Sequence, residues 1–135
     1  MREADFMRRC MKRASDLGAR LFRLNVGLAW TGDVIKNPDG SITIRNPRPF
    51  KSGVTGMSDL IGWTPIEITP DMVGQTVAVY TAVETKTPRG RVRDAQVKFI
   101  SAVSNAGGKA GVARTDADLD NILRAGSDRT QAVDN

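Results

Sequence analysis

The sequence predicts an α/β domain, a central mixed sheet flanked by helices, on three observations. Near the N-terminus apolar residues recur at spacings of three and four. From Val77 to Val83 a run is apolar on both of its alternating faces, and from Asp94 to Ala106 the helical spacing returns. A strand apolar on both faces belongs in a sheet covered on both sides, and the two helical stripes supply the covers. A chain of 135 residues without internal repeats is expected to bury one core.

Taken in order, Phe6, Met7, Cys10, Ala14 and Leu17 mark an amphipathic helix from Arg2 to about Gly18, whose glycine is a natural stop. The segment ARLFRLNVGLAW then alternates, Leu21, Arg23 and Asn25 against Phe22, Leu24 and Val26, as a strand does. Short β-prone runs, Val34–Lys36 and Ser41–Ile44, flank the turn residues NPDG, which predicts a hairpin. RNPRPF comes next as an irregular basic loop. SDLIGW and PIEI read as strand pieces interrupted by Gly62 and Pro65, and TPDMVGQ as a turn before the apolar strand VAVYTAVETK. After the basic turn TPRGR, the residues Ala95, Phe99, Ala102, Val103 and Ala106 share one helical stripe that Gly107 and Gly108 end. AGVAR is a short strand. TDADLDNILRAG opens with Thr115 and Asp118 at capping-box spacing and forms a final helix. The domain is placed at residues 1–126 and a frayed tail at 127–135, which lacks apolar periodicity.

Composition narrows the chemistry. There is no histidine, which removes Ser-His-Asp and Cys-His catalysis and the usual histidine zinc sets. The lone Cys10 lies in a helical stripe and suits a small core residue in a reducing compartment. No stretch is apolar enough to cross a bilayer and the N-terminus has no apolar leader, so a cytoplasmic protein is expected. Net charge is +5, concentrated early: residues 1–51 hold 11 Lys and Arg against 5 acids. A basic surface favours a polyanionic partner, because neutralising phosphates releases counterions; a merely solvated basic face remains the other reading.

Several polar groups stand where apolar ones are expected. Glu84 and Lys86 end the apolar strand and point to the same face, with Thr85 between them on the other. An ordinary strand end would also show such a pair. Glu3 falls within the stripe of the first helix, and Gln96 within that of the second, so each is expected to face inward unless it escapes to water at the helix terminus. Asp59 lies between the flexible GVTGMS and the apolar LIGW, at the lip of a strand. Asp59, Glu84 and the Thr85 carbonyl offer hard oxygen ligands suited to Mg2+ or Mn2+. Lys86 can orient water or offset charge on phosphoryl oxygens, with Gln96 and Glu3 on the rim.

GMSDLIGW, AVETKTPRGR and DAQVKFISAVSNAGGKAGVAR, in that order and spacing, resemble the virus-type replication-repair nuclease (VRR-NUC) domain of the PD-(D/E)xK superfamily, especially its stand-alone phage and bacterial members. The similarity extends upstream through EADFMRRCMKRASDLGARLFRLNVGLAW and IRNPRPF. Three departures stand out: Ser58 replaces the superfamily's proline, as is common in this family, Thr85 occupies a usually apolar position, and RVRDAQ lacks the Ser or Thr cap often found before this helix. The resemblance implies a restriction-endonuclease-like core. It assigns Asp59, Glu84 and Lys86 to the catalytic centre, with Gln96 as the helix glutamine and Glu3 as a first-helix glutamate.

The resemblance further implies a Mg2+- or Mn2+-dependent DNA endonuclease of replication, recombination or repair in a bacterial or phage-infected cell. The expected substrate is branched, Holliday-junction-like DNA, and the expected state is a homodimer that presents two sites. Phosphate grip is assigned to Arg45, Arg48 and Lys51 of RNPRPFK and to Arg89, Arg91 and Arg93 of TPRGRVR, since guanidinium forks pair with phosphate oxygens. Two rivals remain: a catalytically silent DNA-binding or scaffold module, and a restriction-like or end-processing nuclease.

Overall fold

A computed structural model describes residues 1–25 and 27–125; the expected tail falls outside these residues. The chain divides into two units, Met1–Thr64 and Pro65–Asn135.

In the first unit, helix α1 spans Glu3–Asp16, and Glu3 and Asp5 place negative charge in its first turn against the helix dipole. Ala14 is its buried contact, Met7 and Cys10 are half-buried, and the Ala19 N–H closes the helix by donating to the Ala14 carbonyl at 2.8 Å. Strand β1 (Arg20–Arg23) pairs antiparallel with β4 (Leu60–Trp63), placing Phe22 opposite Ile61. The Phe22 and Trp63 rings meet at 5.3 Å between centroids. Gly62 does not interrupt the strand, as its sequence position suggested, but makes the pairing possible. A Cβ there would lie 1.8 Å from the Arg20 carbonyl oxygen, so no other residue fits the register.

Between these strands runs a long antiparallel ribbon, β2 (Gly27–Lys36) and β3 (Ile42–Ser52). Its tip is the expected hairpin turn. Asn37 N–H donates to the Ser41 carbonyl at 2.9 Å, Gly40 N–H donates to the Asn37 carbonyl at 3.1 Å, and Gly40 takes a φ of 86° that L side chains avoid. Asp39 accepts from both the Ser41 N–H (3.0 Å) and hydroxyl (2.6 Å), which holds its carboxyl below the usual carboxylate range.

RNPRPF is strand, not loop. Arg45 pairs with Asp33 and Arg48 with Thr31, and the step between them contains the extra residue of a bulge, with Asn46 at φ 51° and its amide donating to Asp33. Two prolines disfavour a strand only where a ladder bond is lost. Pro47 falls in the bulge, and both strands of a two-stranded ribbon are edges, where proline is tolerated.

The second unit begins irregularly. PIEI forms no strand, Ile66 and Ile68 are exposed, and a single 3-10 turn covers Pro70–Met72. Strand β5 is Thr81–Thr85, shorter than the apolar run, with Val77 and Val79 left 50% and 43% exposed. It pairs in parallel with β6 (Lys109–Ala113) across the connecting helix α2 (Asp94–Asn105), a β-α-β unit whose core holds Val103 and Ala113. Helix α3 (Asp116–Arg124) comes after it, capped by the Thr115 hydroxyl accepting from the Asp118 N–H at 3.1 Å.

The α/β character is therefore observed, with both parallel and antiparallel pairing. The expected central sheet is not: the described strands form three two-stranded sheets, β1-β4, β2-β3 and β5-β6. An apolar run fits a pleated, half-buried surface, but it forms ladder only where a neighbour's backbone meets it.

Candidate functional site

The charged strand end is built by the β-α-β unit. Lys109 N–H donates to the Tyr80 carbonyl at 2.9 Å and Lys86 N–H to the Ala113 carbonyl at 3.0 Å. With Glu84 in register with Val112, this fixes the backbone of residues 80, 82, 84 and 86 toward β6. The carbonyl of Thr85, one residue out of phase, faces away from β6, along an edge that no described strand pairs. It is an oxygen donor that the sheet leaves unused.

Glu84 and Lys86 meet on one face as their alternation demands. Lys86 Nζ lies 3.3 Å from Glu84 Oε1, with the lysine side chain only 18% exposed and the glutamate 32%. Gln96, in the first turn of α2, donates from Nε2 to the same Glu84 Oε1 at 2.7 Å. Its own Oε1 accepts from the Arg93 backbone N–H at 2.9 Å. That second bond fixes the amide: turned over, Gln96 would set two donors against each other. The bond is also half of a capping box, the half an arginine N-cap permits, since its guanidinium has no acceptor to offer the helix. The N-cap is Arg93 rather than Ser or Thr, and Gln96 itself closes the helix start.

Two donors therefore converge on Glu84 Oε1, while among the described residues none reaches Oε2, which is not buried. Glu84 and Gln96 also line a cleft of about 400 Å3 between β5 and α2, together with Tyr80, Thr81 and apolar side chains such as Val83, Ala95 and Ile100. Glu84 Oε2 and the Thr85 carbonyl are hard oxygen donors on adjacent residues, chemistry that fits magnesium or manganese. Among the described residues no three Asp, Glu, Cys or His side chains cluster into a ready-made metal cage.

In the first unit, Asp59 directly precedes β4. Its carbonyl accepts from the Leu24 N–H at 2.8 Å and its side chain is exposed. Glu3, expected to face inward, instead lies exposed in the first turn of α1, where a terminal residue reaches water most readily. Arg45, Arg48 and Lys51 are exposed along β3. Arg89 occupies the tight turn after Lys86, closed by Gly90 N–H donating to the Thr87 carbonyl at 3.0 Å, and Arg91 and Arg93 are exposed beside it.

One residue escaped sequence reasoning. Arg114 directly follows β6, half-buried, and its Nη1 donates to the carbonyls of Thr87 (2.6 Å) and Gly90 (2.8 Å), with Pro88 more distant at 3.4 Å. Its sequence signal was a cation closing the apolar strand AGVAR, the same irregularity that marks Glu84 and Lys86. No helix among the described residues is long and apolar enough to cross a membrane.

Comparison with curated proteins and with solved structures gave no match. Comparison with family models gave one, the VRR-NUC domain, over residues 32–117. That span holds the whole strand, turn and helix carrying Glu84, Lys86 and Gln96, and it also takes in Asp59. Because it covers well over half of the chain, the chain belongs to the VRR-NUC family of nucleases.

Proposed function

We propose that this protein is a metal-dependent DNA endonuclease with a restriction-endonuclease-like catalytic core, selective for branched DNA and working as a homodimer. The observation that carries the catalytic reading is the asymmetric use of Glu84, one oxygen tied to Lys86 and Gln96 and the other without a partner among the described residues, next in sequence to a Thr85 carbonyl that the β5-β6 ladder leaves unused. A structural strand-end ion pair needs neither an amide fixed against the same oxygen nor an unspent carbonyl next to it.

In this reading Glu84 and the Thr85 carbonyl hold Mg2+ or Mn2+, and Asp59 contributes the further carboxylate that the family resemblance assigns to it. A cation held there supplies charge neutralisation at the phosphoryl oxygens and a lowered pKa for the attacking water. Lys86 keeps an ammonium where negative charge accumulates during attack on phosphorus, the kind of fixed charge that favours the transition state over the ground state. Gln96 does not touch substrate; it fixes which Glu84 oxygen stays open. The basic ribbon β2-β3 and the turn at Arg89 hold phosphates. Selectivity for branched DNA and the homodimer rest on the resemblance to stand-alone members.

The test uses purified protein with labelled linear, flapped, nicked and four-way DNAs in magnesium, in manganese and in excess chelator. Cleavage is expected only with metal, and most efficient on branched substrates. Undiminished cleavage in chelator overturns the mechanism, and metal-independent binding without cleavage of any substrate favours the silent binding module.

A further inference from the structure

We propose that Arg114 is a positioning residue for the phosphate-holding turn. It acts by clamping the carbonyls of Thr87 and Gly90, so that Arg89 and Arg91 are presented in a fixed place just beyond Lys86.

The geometry separates Arg114 from the other arginines near the strand end. Arg89, Arg91 and Arg93 are exposed, whereas Arg114 is half-buried and aims one guanidinium nitrogen at backbone oxygens on both sides of a four-residue turn. An Nη1 carries two hydrogens, and the two short contacts use both. The turn is T-P-R-G: Pro88 occupies the position where its fixed φ is favoured, and Arg89 sits at the next position, the tip. Its single internal bond, from Gly90 N–H to the Thr87 carbonyl, closes the loop but does not anchor it to the strands. Arg114 supplies that anchor.

Arg114 is itself held from two directions. Continuing the β5-β6 register by one residue sets it opposite Lys86, whose N–H donates to the Ala113 carbonyl. Its own N–H donates to Asp118 Oδ2 at 2.8 Å, which ties it to the first turn of α3. Both Nη1 hydrogens are thereby committed to the turn, and the backbone N–H to α3. In this proposal its influence on DNA passes through the turn.

This inference rests on the reading of the turn as a phosphate-holding element, and the experiment separates the two. Binding of labelled four-way DNA would be followed by fluorescence anisotropy across a salt series, in calcium. The proteins compared are wild type, Arg89→Ala/Arg91→Ala, Arg114→Ala, and the triple variant. Each phosphate contact contributes roughly 0.9 to the slope of log affinity against log salt. The Arg89→Ala/Arg91→Ala protein should lose about two contacts from that slope. Arg114→Ala is expected to lose a similar amount and to bind on the order of 10-fold more weakly, and the triple variant no more than the double.

An unchanged slope in Arg89→Ala/Arg91→Ala overturns the phosphate-holding reading of the turn. A reduced slope there with a normal slope in Arg114→Ala overturns the positioning role alone. A further loss in the triple variant means that Arg114 meets phosphate directly, which also overturns it. Should Arg114→Ala not fold by circular dichroism, Arg114→Lys carries the same test. It keeps the charge and the stem but lacks the planar fork, so the slope should still fall, and a wild-type slope would refute the clamp.

Discussion

Gln96 shows how one side chain can serve two neighbours at once. Its carbonyl oxygen caps α2 by accepting from the Arg93 N–H, and its amide nitrogen holds Glu84 at 2.7 Å. The two jobs are separable by substitution. Glutamate at this position still accepts from Arg93 but has nothing to donate to Glu84, and it brings a second negative charge against the first. Gln96→Glu should therefore keep the helix and impair catalysis. Partners that orient a metal-binding side chain typically contribute about 10- to 100-fold in affinity or activity, and a loss of that order is expected in single-turnover cleavage with an unchanged circular dichroism spectrum. A wild-type rate in Gln96→Glu would limit the residue to capping. The inward aim of Gln96 was legible from helical spacing because a mid-stripe amide has a defined direction. Glu3 carried the same signal and is exposed, because the first turn of α1 opens to water.

At the scale of elements, the helices and the hairpin turn were readable while the strand limits were not. The α1 and α2 stripes end at the glycines that sequence suggests, and NPDG forms its turn from local bonds alone. Strands depend on distant partners. RNPRPF became ladder because the bulge at Asn46 absorbs Pro47, and Val77–Tyr80 stayed outside β5 although its residues suit a strand. Gly62 was read as a break and is instead a point of close approach.

The hairpin tip also makes a pH prediction. Hydrogen bonds from the Ser41 hydroxyl and N–H lower the Asp39 pKa in the folded protein, so their contribution is complete above the ordinary aspartate value and is lost as pH falls through the lower folded value. The Ser41 amide resonance should titrate below the ordinary aspartate range. Titration at the ordinary value would show that the turn does not hold the carboxylate.

On the scale of the whole molecule, family membership and charge point the same way. A net charge of +5 and a sequence pI near 9.9 suit a protein that meets nucleic acid, and the VRR-NUC match over residues 32–117 makes that meeting a nuclease's. That Glu84, Lys86 and Gln96 stand out was legible because their chemistry conflicts with the apolar stripes they interrupt, and the structure joins these three. The clamp at Arg114 was not, since only the fold brings residues 87–90 to the end of β6.

The most direct measurement is single-turnover cleavage of branched DNA at saturating metal by wild type, Glu84→Gln and Lys86→Ala, with calorimetric metal titration and circular dichroism of each. If Glu84 holds the metal and Lys86 acts on the developing charge, Glu84→Gln binds metal weakly and does not cut. Lys86→Ala keeps its metal and loses on the order of 100-fold or more in rate. A surface ion pair at a strand end would contribute at most about 1 kcal/mol to stability and nothing to rate. Folded Glu84→Gln and Lys86→Ala proteins that cut DNA at near wild-type rate would contradict the catalytic role of this strand end.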